Sequence, residues 1–189
     1  MLPEVYQITT KMLYQGALLF ALLDALIIPV LLWRVHKDRF RQAKRALLAI
    51  AGIFWFGIWL WATTNYWDTV YQYVFPDWAR SIMPWFFGLL MAGIGLIIWE
   101  SAQRFNFHPV IGYSLLSGLW GICTHIWAVY RGVVEKPPML QGASPVAVVV
   151  IAFFEYIFYW CVILSVAVLT QSGWNAFRRK TGRSPHCSL

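Results

Sequence analysis

Residues 146–170 read VAVVVIAFFEYIFYWCVILSVAVLT. One charged residue, Glu155, interrupts an otherwise apolar run that contains no Pro, Lys or Arg. A helix rising ~1.5 Å per residue over this length spans the ~30 Å hydrocarbon layer of a bilayer. The run is apolar on every face, so no amphipathic stripe points to a water-soluble core. A transmembrane barrel is excluded too, because its strands alternate apolar and polar residues. Four further runs of this kind fall at 13–33, 46–64, 81–99 and 110–130. With no water to satisfy the backbone inside a bilayer, each must be a helix. The expected fold is all-α: a polytopic transmembrane bundle of about five spans, with residues 1–189 forming one integral membrane domain.

Composition agrees. Of 189 residues, 60% are hydrophobic and 18% aromatic, with 12 Trp, 9 Tyr and 13 Phe. Charged residues make up 12%, against about 25% in soluble domains. A disordered chain is excluded by the same figures. Cys123 and Cys161 lie in apolar runs and Cys187 lies in the tail, with no C-x-x-C, so neither a disulfide framework nor a zinc site is indicated. The stretch from Met1 to Lys11 lacks the basic start of a secretory signal and carries Glu4.

The cations between the runs set an orientation. The segment 34–45 holds six Lys or Arg, residues 100–109 add Arg104, and the tail adds Arg178, Arg179, Lys180 and Arg183. These eleven fall on one side. Lys11, Arg80, Arg131 and Lys136 fall on the other. The bias puts the N-terminus outside and the C-terminus in the cytoplasm of an inner or plasma membrane. The 34–45 segment is suited to anionic lipid headgroups, and it is too short to form a nucleic-acid-reading domain. On the outer side, 65–80 interleaves aromatics with Asp68 and Asp77, as an interfacial helix or re-entrant turn would. Pro137, Pro138, Gly142 and Pro145 separate the last two spans.

Lipid gives helices no hydrophobic reason to associate, so small residues must let them approach. Four faces qualify: Ala17, Ala21 and Asp24 on span one; Gly88, Ala92 and Gly95 on span three; Ser114, Ser117, Gly121 and His125 on span four; and Ala152, Glu155, Tyr159 and Val162 on span five. All four are expected to turn inward.

The candidate site comes from the same residues. A charge at the bilayer centre costs about 2.5–3.5 kcal/mol on insertion scales, so Asp24 and Glu155 need a reason to be there. Counting helix rise from the outer side puts Asp24 roughly 16 Å deep, Glu155 roughly 14 Å and His125 roughly 8 Å. The three are expected to form one polar site opening outward, able to relay protons, hold a cation or bind the head of a small amphiphile. Glu100 sits at the inner end of span three as a further candidate binding residue. The structural alternative is that Glu155 accepts from a Tyr or Trp, and His125 bonds a backbone carbonyl. No metal-ligand spacing is present, and no nucleophile elbow. The cofactor, if any, is not identified.

The stretch His108-Pro109-Val110-Ile111-Gly112-Tyr113 resembles the Arg-His-Pro-x-Tyr-x-Gly turn of the isoprenylcysteine methyltransferase group in its His-Pro pair. Phe107 replaces the Arg, Ile111 stands at the Tyr position, and no Glu-Glu pair follows. An emopamil-type sterol isomerase would need His and Glu in span two, where Phe54 to Thr64 carries no ionisable group. No family is assigned. Three functions remain in competition: binding or transport of a cation, proton or small amphiphile; a non-catalytic subunit of a larger complex; and an enzyme acting on a lipid or isoprenoid. Five spans are too few to enclose a wide pathway alone, so a homo-oligomer or other membrane subunits are expected.

Overall fold

A computed structural model describes residues 9–35, 40, 45–62, 77–105, 107–131 and 144–180. Among these residues there are five helices: α1 (Thr10–Arg34), α2 (Arg45–Ala62), α3 (Asp77–Ala102), α4 (Pro109–Arg131) and α5 (Pro145–Lys180). The fold is all-helical, as the apolar runs require. Thr10–Arg34, Pro84–Ala102 and Pro145–Phe177 are each long and apolar enough to cross a membrane, and Arg45–Ile58 is apolar but shorter. The 65–76 aromatic segment, most of 34–45 and the 132–143 connection lie outside the described residues.

Local chemistry sets the helix ends. Thr9 caps α1, its side chain accepting from the Met12 amide at 3.3 Å. Pro109 opens α4 in the first helical position, where its missing N–H costs nothing. The His108 Nδ1 accepts from the Val110 amide at 3.3 Å, so the His-Pro pair starts this helix. The last helix runs ten residues past the expected end at 170, because Thr170–Lys180 contains no Pro to stop it.

The α5 helix is the hub. It packs against α1, α4 and α2, while α2 pairs with α3 and α3 touches α4. Glycines allow these approaches. A side-chain carbon on Gly88 would lie 2.7 Å from the Ile53 carbonyl oxygen, and one on Gly52 3.3 Å from the Ala92 Cα. The α2–α3 pair is thus nearly backbone on backbone. Gly118 meets Phe153 and Gly121 meets Tyr156 and Ala152 across α4–α5, and Gly95 receives the Trp160 ring across α3–α5. The small-residue faces read from sequence do turn inward: Ala17, Ala92, Ala152 and Ser117 are at most 4% exposed. Gly52 and Gly57 on α2 belong to this set as well.

The surface is the reverse of a soluble protein's. Leu18, Leu22, Leu26 and Val30 form an exposed stripe on α1; Phe86, Leu89, Leu90 and Ile97 do so on α3, and Leu115 and Leu119 on α4. Asp24, Ser114 and Ser117 are buried instead. A water-exposed domain rarely tolerates apolar faces this continuous, but a hydrocarbon solvent favours them.

Candidate functional site

The two parallel helices α1 and α5 share a common edge, because the Ser144 amide donates to the Thr10 Oγ1 at 3.0 Å. From that edge the pair stays in register. Gly16 faces Ile151, Phe20 packs on Phe158 and Tyr159, and Asp24 interacts with the Cys161 thiol. At ~1.5 Å per residue Asp24 is about 21 Å below the start of α1, level with Tyr159 and Cys161, whereas Glu155 is about 15 Å down. The three sequence-predicted residues therefore form a descending series, with His125 outermost and Asp24 deepest.

His125 and Glu155 come together, as expected from neighbouring spans. They interact electrostatically across α4–α5. Each also has a local partner. The Tyr159 hydroxyl donates to Glu155 Oε1, one turn away on the same helix. The His125 Nδ1 lies 3.0 Å from the Gly121 carbonyl and 3.5 Å from Thr124 Oγ1. A carbonyl can only accept, so this contact makes Nδ1 the donor. The ring stands edge-on to Tyr156, with centroids 5.6 Å apart at 87°. Tyr156 leads to Tyr159 at 6.2 Å, and Tyr159 is ringed by Phe20, Trp55 and Phe56 at 6.0–6.1 Å.

Asp24 differs from both. It is 4% exposed, and neither carboxylate oxygen has a hydrogen-bond partner among the described residues. Beside it on α5, Cys161 contacts Ser114 of α4 at 3.4 Å. The hydroxyls of Ser114 and Ser117 donate to their own helix, to the Val110 and Tyr113 carbonyls at 2.9 and 2.7 Å. They are therefore not aimed at the acid. The indole nitrogens of Trp55, Trp99, Trp120 and Trp160 are likewise buried without acceptors. Buried polar atoms in proteins are nearly always paired, so this interior carries an unusual load of unmet hydrogen bonding, with Asp24 its one carboxyl. The indoles and the Cys161–Ser114 contact were not anticipated from sequence: tryptophan is ordinary in an apolar run, and a lone cysteine carries no pattern.

Glu100 lies elsewhere. Its Oε1 is 3.1 Å from the Arg45 Nη2, and both side chains are well exposed. Next to this pair at the same end of the bundle, Phe40 is fully buried, stacked on Trp99 at 6.0 Å and edge-on to Tyr113. Glu100 thus fastens the start of α2 to the end of α3 and is remote from Asp24. Among the described residues no group of three or more His, Cys, Asp or Glu is placed to hold a metal ion.

No protein-family model, curated protein or solved structure matches this chain.

Proposed function

We propose that this is a small multi-pass protein of the inner or plasma membrane that binds or moves a cation, a proton or the cationic head of a small amphiphile within the bilayer. Its N-terminus lies outside and its basic side faces the cytoplasm. The observation that carries this reading is the Asp24 carboxyl, buried with both oxygens unpartnered. An isolated carboxylate in an apolar interior is costly, and a positively charged ligand removes that cost. His125 and Glu155 have local partners and serve as the outer part of the site, between the outer edge and Asp24.

The rival reading, a non-catalytic subunit, docks neighbours through the small-residue faces and the aromatic 65–80 segment. The small-residue faces are used inside the bundle, and residues 65–76 lie outside the described residues. Self-association through the exposed apolar stripes remains part of the proposal, since five helices enclose little space.

Proteoliposomes with trapped ion-sensitive dyes test the function. H⁺, Na⁺, K⁺ and tetraphenylphosphonium are offered in turn to wild type and to Asp24→Asn. Uptake or binding of at least one of them, lost in the variant, is expected. Equal traces for wild type and variant with all four probes refute the reading.

A further inference from the structure

Resting on that reading, we propose that the species Asp24 takes is the proton itself, and that neither a metal ion nor an organic cation occupies this carboxyl. The first argument is ligand number. Hard metal cations need about six oxygen donors. Here the second acid, Glu155, lies about four residues closer to the edge and holds the Tyr159 hydroxyl. Ser114 and Ser117 donate their hydroxyl protons to their own helix carbonyls, and the α5 group that interacts with Asp24 is the Cys161 thiol, a poor ligand for such ions. Asp24 alone supplies two oxygens.

The second argument is space. An ammonium head needs the volume of a side chain, but Asp24 is 4% exposed, and Cys161, which interacts with it, is fully buried. The rings gathered around Tyr159 meet it edge-to-face or tilted, not as an open cage for an organic cation. A proton needs one lone pair and no room.

The third argument is the surroundings. The titratable groups facing this level are the Cys161 thiol and Tyr159 of α5 and, through its interaction with Cys161, Tyr113 of α4. Glu155 and Tyr156 of α5 lie outward of them, with His125 of α4 further out. On α1 itself Lys11, Tyr14 and Arg34 lie at the two ends. No fixed positive charge among the described residues neutralises Asp24, so a mobile one must. His125 and the Glu155–Tyr159 pair lie between Asp24 and the edge at which α1 begins, and a proton reaches Asp24 past them.

Dicyclohexylcarbodiimide labelling tests this. The reagent takes the proton of a carboxylic acid onto nitrogen while the carboxyl oxygen bonds its central carbon, so only a protonated acid in an apolar setting reacts. The full-length protein in phosphatidylcholine bilayers is labelled across a pH series, and adducts are mapped by mass spectrometry. The expected result is an adduct on Asp24 that grows as pH falls. It is unchanged by excess Na⁺, K⁺ or tetraphenylphosphonium, abolished in Asp24→Asn and retained in Asp24→Glu. Protection by Na⁺, K⁺ or tetraphenylphosphonium overturns the proton assignment and leaves the broader cation reading standing. An adduct confined to Glu155 also overturns it. Absence of any adduct at every pH, in protein with native helicity, sinks both.

Discussion

The carboxyl of Asp24 contributes nothing to stability through hydrogen bonds, since both of its oxygens lack partners. Leaving a buried polar group unpaired costs about 1–3 kcal/mol, more when charged. Asp24→Leu should therefore stabilise the protein by about 1–3 kcal/mol, measured by denaturant titration in mixed micelles, while proteoliposome activity disappears. Loss of stability instead would make Asp24 a structural residue. Glu155 should behave oppositely, because Tyr159 donates to it. A double-mutant cycle with Glu155→Gln and Tyr159→Phe should show a coupling of about 0.5–3 kcal/mol, and additive effects would remove the pair from the site. Sequence alone finds these acids, because a charge in an apolar run is conspicuous. It cannot say which of them is satisfied. That depends on Tyr159 lying one turn from Glu155, on Gly121 offering a carbonyl to His125, and on nothing comparable lying beside Asp24.

At the level of helices, packing is controlled by where glycine meets a neighbouring backbone. Gly88 faces the Ile53 carbonyl at a distance no side-chain carbon tolerates, whereas Gly93, five residues on in the same helix, has open space. Gly88→Ala should destabilise by about 1–3 kcal/mol through forced separation of α2 and α3. Gly93→Ala should be neutral or stabilise by up to about 1 kcal/mol through helix propensity. Parallel thermal unfolding of the two variants in detergent checks the contrast, and equal shifts would contradict the interface. The five helices themselves are legible mostly to within a few residues, because length and apolarity are local properties. Gly52 and Gly57 escape that reading: their spacing of five does not repeat a helix turn, and only the partner helix reveals that Ala92 and Trp85 sit against them. The end of α5 escapes it too, since a helix continues into polar sequence when nothing breaks it.

For the molecule as a whole, the cation bias predicts an orientation that accessibility can measure. A membrane-impermeant maleimide should reach Cys187, in the tail beyond the described residues, in inside-out vesicles but not in right-side-out ones. Labelling in right-side-out vesicles would invert the topology and put the route to Asp24 on the opposite face. The expected orientation comes from charge alone, through counts between the apolar runs, whereas the depth series from His125 to Asp24 needed the Thr10–Ser144 bond to align two helices. One further feature bears on motion. The backbone of α5 is unbroken over 36 residues, about 54 Å at the usual rise, and Pro145 stands at its first turn, where it puts no joint in the rod. With no proline beyond its first turn, the helix carries Glu155, Tyr159 and Lys180 on one continuous backbone, so the acid's hydrogen bond and the far tip belong to a single mechanical element.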